Sequence, residues 1–307
     1  MTTAAILGDG RFSAVVQAIL QAVGAEARVW RRGQDMAPVV TGANLVFMAV
    51  PAGAVAEVAG LYGPHARGDH IVIHGCRGVG ESFQLVHQLI RATTCVKKIG
   101  VIGGPLHGRD LASGRPMAAV VASRYDEVPA AVRALAAGSP VRVHPSRDVV
   151  GVEVANAISN VSALATGMCA ALSLGDTARG ILLTHGLVEA QRLGCALGGQ
   201  PHTFTGLAGV GDLIPRSVTS TDRHQDLGRA LVEGRLLSDA MAAAGAAVEG
   251  VATARHATQI AKRLQLSLPL VEAVCGVLDG EVDAAAAIDG VLRRDDIELG
   301  RGLTTPR

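Results

Sequence analysis

The sequence predicts an α/β fold in which a Rossmann-type, doubly wound sheet is followed by an all-α domain. Short apolar runs rich in β-branched residues alternate with amphipathic stretches over the first half of the 307-residue chain, a pattern typical of βαβ units. A glycine-rich turn follows the first run, and helical periodicity dominates beyond residue 148. We therefore expect two domains, residues 1–147 and 148–307, each with a core of its own.

Seven short apolar segments are predicted to form the strands of a mainly parallel sheet. They are Ala4–Leu7, Ala27–Trp30, Leu45–Val50, His70–His74, Ile99–Ile102, Met117–Ala122 and Val141–His144, the last ending at Pro145. The amphipathic stretches Ala14–Val23 and Ser82–Ala92 are predicted to be two of the connecting helices.

Composition excludes several functional classes. Lys and Arg number 28 against 27 Asp and Glu, and aromatic residues make up 2% of the chain, so the basic excess and stacking aromatics of a nucleic-acid-binding protein are missing. The 5 cysteines are scattered without a Cys-x-x-Cys pair, which indicates reduced thiols. No metal-binding cluster is visible, so no metal is predicted. Neither a signal peptide nor an apolar run of about 18 residues is present, which favours a cytoplasmic protein without a membrane span.

The turn after the first predicted strand has the spacing of a dinucleotide-binding motif. In Gly8-Asp-Gly10-Arg11-Phe12-Ser13 the third glycine of Gly-x-Gly-x-x-Gly is a serine. The first two glycines permit a tight turn and close approach of backbone N–H groups to a pyrophosphate, and the next helix offers its positive N-terminus. Ser13 is small enough for the packing role of the third position. A plain glycine-rich turn is the alternative interpretation.

The second predicted strand is followed by Arg31 and Arg32. An NAD-specific site usually has Asp or Glu here for the ribose 2′-hydroxyl. Arginine instead suits a 2′-phosphate, because guanidinium binds phosphate with two hydrogen bonds. We therefore predict NADP(H) as the preferred cofactor, with NAD(H) possible, against the alternative of a solvated basic turn.

The segment Gly151–Gly167 resembles the active-site helix of the NAD(P)-dependent glycerol-3-phosphate dehydrogenases. Further blocks resemble the same family in order along the chain: Val46–Ala52, Gly75–Gly78, Gly103–Asp110, Asp148–Glu153, Leu183–Glu189, Thr205–Leu213, Asp222–His224, Ala247–Val251 and Leu268–Leu270. The resemblance implies a helical second domain like that of 6-phosphogluconate dehydrogenase. It also implies a cleft for nicotinamide and substrate between the domains, and a homodimer.

The resemblance implies site residues beyond the glycine-rich turn. Further cofactor contacts are expected from Pro51, Arg77, Gly108, Arg223 and Glu249. The residues expected to contact substrate are Arg77, Gly104, His107, Asn160, Asp212, Arg216, Arg223 and His224. Arg77 stands where the family has lysine and Arg216 where it has threonine, so we predict recognition of an anionic phosphate or carboxylate. The alternative for Arg216 is a solvent-exposed side chain.

The largest departure is Ser159, which stands where the family has the lysine that protonates the ketone being reduced. A buried lysine can serve as that acid, whereas a serine hydroxyl can only relay a proton or donate a hydrogen bond. Asn160 and Asp212 match family positions that orient substrate and lysine. We hypothesise that His224, or less favourably His107, has taken over proton transfer; the alternative is a structural histidine.

Two functions follow. The first is an NADP(H)-dependent oxidoreductase acting on dihydroxyacetone phosphate or a related small anionic ketone, and rewiring of the pocket leaves a different keto substrate open. The second is a dinucleotide-binding homologue without turnover that acts as a sensor or assembly partner. In the first reading the catalytic residues are Ser159, Asn160, Asp212 and His224.

Overall fold

A computed structural model describes residues 3–106, 108–218, 222–244 and 248–294. Its first half holds one sheet of seven strands in the order β2-β1-β3-β4-β5-β6-β7, parallel throughout except where β5 meets β6. The strands are β1 Thr3–Leu7, β2 Glu26–Trp30, β3 Leu45–Met48, β4 Ile71–His74, β5 Lys98–Gly103, β6 Met117–Ser123 and β7 Val141–Ser146. The predicted mainly parallel sheet is confirmed.

The end of the last strand was predicted wrongly. β7 does not end at Pro145 but continues through it to Ser146, with Pro145 opposite Val121 of β6. β7 is an edge strand and pairs only with β6. Backbone N–H groups on its other side form no hydrogen bonds within the sheet, so a proline, which lacks an N–H, is tolerated there.

Helices of the first half pack on both faces of the sheet, where two separate apolar cores form. They are α1 Arg11–Ala22, α2 Ala37–Val40, α3 Val55–Tyr62, α4 Val86–Thr93, α5 Gly108–Ala112 and α6 Glu127–Leu135, with short 3-10 turns at Ala52–Ala54, Gly63–His65 and Glu81–Phe83.

One predicted helix starts later than expected. Ser82 and Phe83 have φ of 54° and 63°, outside the helical region, so the stretch predicted from Ser82 becomes helical only at Val86. The cause is tertiary: the side chains of Phe83 and Leu85 are buried in the core of the helical half. The segment between β4 and α4 therefore packs against the helices of the second half.

In the second half, all the helices and strands found among the described residues are helices. They are α7 Val149–Ala171, α8 Gly175–Ala196, α9 Pro201–Thr205, α10 Val210–Val218, α11 Arg223–Val232, α12 Leu237–Ala243, α13 Glu249–Leu264, α14 Pro269–Leu278 and α15 Ala284–Leu292. The predicted division between residues 147 and 148 falls between the end of β7 and the start of α7.

Helix α7 is the axis of this half and positions the site. Asp148 caps its N-terminus: Oδ1 accepts from Gly151 N at 2.8 Å, and Oδ2 accepts from Thr203 Oγ1 at 2.6 Å. A small apolar cluster that includes Val101, Val120 and Val152 ties the first turns of α7 to β5 and β6. The helix therefore meets the sheet at a fixed position.

Helix α7 is also the one helix of the described residues that is long and apolar enough to cross a membrane. In its most apolar window 94% of the residues are buried inside the protein. That burial is what the central helix of a packed domain requires.

The contact between α7 and α11 depends on two glycines. A Cβ on Gly167 would overlap the backbone of Gln225, and one on Gly228 would overlap the carbonyl of Leu164. We expect Gly167→Ala to destabilise the fold by about 1–3 kcal/mol, the usual effect of overpacking. The control is Gly290→Ala in α15, where a Cβ meets nothing within 4 Å and helix propensity predicts a gain of up to about 1 kcal/mol. Thermal or urea unfolding of both variants measures the difference, and equal stabilities would contradict the close packing.

Candidate active site

Ser159 lies at the centre of a cluster of charged side chains. Its Oγ accepts a hydrogen bond from Arg77 Nη2 at 3.0 Å and another from Arg216 Nη1 at 2.9 Å. It donates its own proton to the backbone carbonyl of Asn156 at 2.8 Å. The hydroxyl therefore lies between two guanidinium groups, at the position where the related helix carries a lysine.

Arg77 reaches this point from the loop that follows β4. Its Nη1 donates to Asp212 Oδ1 at 3.1 Å and its Nη2 to Asp212 Oδ2, while Asn160 Nδ2 donates to its backbone carbonyl at 2.7 Å. Burial alone would lower the pKa of the Arg77 guanidinium, but the charge and hydrogen bonds of Asp212 outweigh burial and raise it. Arg77 is thus a fixed cation that Asp212 orients.

Arg216 is buried, with 5% of its surface exposed, so the alternative of a solvent-facing side chain is wrong. Its Nε and Nη2 donate to Asp222 Oδ2 at 3.1 and 2.9 Å. Burial and the nearby charge of Arg77 lower the pKa of its guanidinium, opposed by the charge of Asp222. For Asp222 burial raises the carboxyl pKa, but the hydrogen bond from His224 and the charge of Arg216 hold it well below its usual range.

His224 occupies a closed environment. Its Nε2 accepts from the backbone N–H of Gly250 at 3.3 Å, and its Nδ1 lies 3.2 Å from Asp222 Oδ1. Burial lowers the pKa of the imidazole from 6.5 to about 4, even though Asp222 acts in the opposite direction. The neutral ring, which accepts at Nε2, therefore carries its proton on Nδ1 and donates a hydrogen bond from there to Asp222 Oδ1. Proton transfer by His224 remains a prediction; these contacts favour a positioning role through Asp222 and Arg216.

Several polar atoms beside this cluster are buried and lack a hydrogen-bond partner within the described chain. They are Oδ1 of Asn156, Oδ1 of Asn160 and Nε of Arg77. The Nδ2 atom of Asn156 is fixed by the carbonyl of Ile102 at 3.0 Å. Unpaired buried polar atoms are costly, so such atoms beside a charged cluster are expected to bind a substrate that carries donors and acceptors.

The structure also shows a buried carboxylate network at Glu153, between one and two turns before Ser159 on α7. Glu153 Oε1 lies 2.7 Å from His74 Nε2, and Oε2 lies 2.8 Å from His87 Nδ1. Burial alone would raise the pKa of Glu153, but the two histidines lower it from 4.5 to about 2. This network connects the end of β4, helix α4 and the helix that carries Ser159.

The glycine-rich turn has a shape suited to a dinucleotide. Gly8 has φ of 118°, and a Cβ on it would overlap the carbonyl of Ala49, so only glycine fits there. Gly10 caps α1, whose first turn contains no acidic residue. Ser13 is buried and accepts from Gln17 Nε2 at 3.0 Å. These residues fit a pyrophosphate, which would bind the backbone N–H groups at this helix end.

Other predicted cofactor residues surround this turn. Phe12 packs its ring against Gly75, where a Cβ would lie 2.6 Å from the ring, and Arg11 is exposed beside it. Arg31 lies 3.5 Å from Asp9 and Arg32 lies 2.7 Å from Glu57, with both arginine side chains more than half exposed. These two cations are therefore accessible to a phosphate.

The remaining predicted residues lie at the ends of β3 and β5 or at helix starts. Pro51 follows β3, and Glu249, the first residue of α13, accepts from Ala52 N at 2.8 Å. Gly104 follows β5 with φ of 93°, and Gly108 begins α5. His107 lies outside the described residues.

Arg223 is the first residue of α11. Burial lowers the pKa of its guanidinium; the charge of Glu249 raises it and that of Arg11 lowers it. Arg223 is thus close enough to feel the charge at the start of α1 as well as the charge of Asp222. Its predicted roles toward cofactor and substrate remain predictions.

Sequence reasoning missed the partners that position the predicted residues. Asp222 was not assigned a role, although an aspartate just before a helix start is an N-cap signal; its Oδ1 accepts from His224 N at 2.8 Å. His74 and His87 gave no signal, because nothing in the sequence indicates that they meet Glu153 across 66 or more positions of the chain.

Two family models match the chain. The N-terminal model of NAD-dependent glycerol-3-phosphate dehydrogenase matches residues 31–128, and the C-terminal model matches residues 148–289. The glycerol-3-phosphate dehydrogenase [NAD(P)+] of Synechococcus elongatus is 33% identical over 95% of this chain and 96% of that protein. That of Burkholderia lata is 40% identical over 73% of this chain and 68% of that protein.

Solved structures give the same result for the fold. Glycerol-3-phosphate dehydrogenase from Coxiella burnetii superposes with a TM-score of 0.90 at 27% identity, covering 95% of this chain and 99% of that chain. A D-mandelate dehydrogenase bound to NADH, at 12% identity and a TM-score of 0.62, shares the fold over 91% of this chain and 98% of that chain. The chain therefore belongs to the NAD-dependent glycerol-3-phosphate dehydrogenase family, a family of nicotinamide-dependent oxidoreductases.

Proposed function

We propose that the protein is an NADP(H)-dependent oxidoreductase that interconverts a small anionic ketone and its alcohol, with dihydroxyacetone phosphate or a related compound as the ketone. The observation that carries this proposal is the pair of guanidinium groups that donate to Ser159 Oγ, at 3.0 and 2.9 Å. They place two cations where the family has a lysine. Two fixed cations can stabilise an oxyanion without giving up a proton.

When bound, the nicotinamide supplies the hydride that reduces the carbonyl carbon. Arg77 and Arg216 hold N–H donors toward the carbonyl oxygen, on which negative charge develops as the carbon–hydride bond forms. Asp212 and Asp222 fix these guanidinium groups so that little reorganisation is needed. The proton that completes the alcohol comes from a water molecule, relayed by Ser159 when its hydroxyl turns from the Asn156 carbonyl toward the substrate.

The anionic end of the substrate needs a further cation. Arg223 is half-buried and has no ion-pair partner within 4.0 Å among the described residues. We assign it the phosphate or carboxylate of the substrate, beside the cofactor. This leaves Arg77 and Arg216 for the reacting oxygen.

NADP(H) preference is proposed from Arg31 and Arg32, which follow β2. Of the two, Arg31 has the weaker ion pair, 3.5 Å against 2.7 Å for Arg32. We expect Arg31→Ala to raise the KM for NADPH roughly tenfold, the loss of one charged contact to a 2′-phosphate, and to change the KM for NADH by less than about twofold. Steady-state kinetics with both cofactors measures the two values. Equal changes would exclude a 2′-phosphate contact.

The function itself is tested with purified protein, NADPH and dihydroxyacetone phosphate, next to a panel of small keto acids and phosphorylated ketones. Turnover with dihydroxyacetone phosphate supports the proposal as stated. Turnover with another anionic ketone supports the mechanism and reassigns the substrate. Tight NADPH binding without turnover favours the second candidate, a non-catalytic dinucleotide sensor or assembly partner, for which the missing lysine at position 159 is the supporting observation.

We further propose a cytoplasmic homodimer with the dinucleotide domain at residues 1–147 and the substrate domain at residues 148–307. Ala-rich apolar helices and the family resemblance support a dimer. Light scattering at several protein concentrations tests it.

A further inference from the structure

A cavity lies away from Ser159, toward the opposite end of the sheet. It has a volume of about 370 Å³ and is lined by α4, by the residue before β5, by the two residues after β6 and by the start of α7. Arg77 follows the carboxyl end of β4, whereas Lys97 precedes the amino end of the parallel neighbour β5. The cavity is therefore separate from the site described above.

The polar lining of this cavity carries positive charge only. Arg91, Lys97 and Arg124 line it from three different segments, and no Asp or Glu lies among its described lining residues. All three side chains are exposed, and none takes part in an ion pair within the part of the chain that the structure describes. Three cations around one cavity create a local positive potential that concentrates anions.

Asp148, next to Val149 of the lining, is held by the N–H groups of Gly151 and Gln200 and by the hydroxyl of Thr203. The two acidic residues that directly follow Tyr125 pair with cations outside the lining. Asp126 pairs with Arg147 at 2.6 Å, and Glu127 pairs with Lys98 at 3.3 Å. The cations of the cavity thus keep their charge free for a ligand.

The arrangement selects a class of ligand. Guanidinium groups bind phosphate and carboxylate oxygens with paired hydrogen bonds, and Tyr125 and Gln88 add a hydroxyl and an amide to the lining. A ligand that engages cations from three segments must carry at least two negative charges. The volume lies in the range of sites for small molecules, so a phosphorylated or polycarboxylated metabolite fits.

Besides Val149 at the start of α7, the side chain of His87 connects the cavity to the interior of that helix. His87 lines the cavity, and its Nδ1 lies 2.8 Å from Glu153 Oε2 while its backbone N donates to Glu153 Oε1 at 2.8 Å. Glu153 belongs to α7, the helix that carries Asn156 and Ser159. We propose that this cavity binds a small polyanion and that His87 and Glu153 transmit its occupancy to α7.

The first test is binding, which does not depend on turnover. Calorimetric titrations with citrate and with pyrophosphate are made on the protein saturated with NADPH, at ionic strength matched with sodium chloride. Arg91→Ala/Lys97→Ala/Arg124→Ala is expected to weaken binding at least about tenfold, because each charged hydrogen bond contributes that much. Tighter binding of pyrophosphate would indicate a phosphorylated ligand, and tighter binding of citrate a polycarboxylate.

The control is Arg133→Ala/Lys262→Ala/Arg263→Ala, which removes the same charges from exposed positions outside the cavity. This variant is expected to bind both anions like the wild type. If both triple variants bound the anions equally weakly, the loss of affinity would come from the lower net charge of the protein and the proposal would be wrong. Absence of anion binding to the wild type would also overturn it.

The second test concerns transmission. Citrate is expected to change the Kd of NADPH, measured by nicotinamide fluorescence, at least about twofold in the wild type, and the linkage must hold in both directions. His87→Ala is expected to keep citrate binding and lose this change. A change of the same size in His87→Ala would refute the route through Glu153, and the same change in the cavity triple variant would show that citrate acts at the dinucleotide site.

Discussion

Arg216→Ala is expected to lower kcat/KM roughly 100-fold or more while leaving NADPH affinity within about threefold of the wild type. A fixed donor to a developing oxyanion contributes an effect of this size, and Arg216 Nη1 lies 2.9 Å from Ser159 Oγ, beside which the reacting oxygen is proposed to bind. Steady-state kinetics and fluorescence titration with NADPH measure the two quantities. An unchanged kcat/KM would remove Arg216 from the mechanism.

Loss of Arg216 also leaves Asp222 without its cation, so folding must be controlled. Arg216→Lys keeps a positive charge but donates from one nitrogen instead of the three that Arg216 uses toward Asp222 and Ser159, and it is expected to fall between the wild type and Arg216→Ala. Added guanidine is expected to restore part of the activity of Arg216→Ala, and it cannot repair a misfolded site. Equal Tm values for the three proteins complete the control.

Ser159→Lys/Arg216→Thr is expected to retain activity within about tenfold of the wild type, although each single change lowers it strongly. A lysine at position 159 would place an ammonium group beside Arg77 and Arg216, and each pair of unit charges at 4 Å costs about 4 kcal/mol at an effective dielectric constant of 20. Threonine at position 216 removes one of these cations and opens the space for the lysine. The double variant thereby restores the pair of residues found in the family.

A double-mutant cycle on kcat/KM measures this relation. We expect a coupling of at least about 1 kcal/mol in favour of the double variant, as found for residues in direct contact. Additive losses would show that Ser159 and Arg216 do not share one role. Ser162→Lys is not a useful control, because Ser162 is buried against Gly186. Thr184→Lys, at a partly exposed position of α8, adds a charge outside the site.

Local patterns in the sequence predicted most of the sheet, because short apolar runs between glycine turns have few alternatives. They failed where tertiary packing decides. Ser82 and Phe83 leave the helical region because Phe83 is buried in the core of the other half. Pro145 stays in β7 because that strand lies at the edge of the sheet. Neither reason is visible within a window of neighbouring residues.

For the site, the family resemblance identified the residues but not their pairing. It placed Ser159 and Arg216 at changed positions, yet only the structure shows that the two changes meet in one hydrogen bond. His224 was the favoured acid on grounds of residue type, whereas burial and the Gly250 N–H define its environment. Contacts between residues 57 positions apart depend on the folded arrangement of α7 and α10, which a single sequence does not encode in any short motif.

Hydride transfer is proposed to proceed without a lysine at position 159. A single-turnover experiment tests it most directly, with enzyme in excess over NADPH deuterated at the transferred position and with dihydroxyacetone phosphate as the ketone. We expect loss of the NADPH signal in one phase, slowed roughly 100-fold by Arg216→Ala, and deuterium in the alcohol product. Wild-type protein that binds NADPH but transfers no deuterium to any ketone of the panel would contradict hydride transfer at this site.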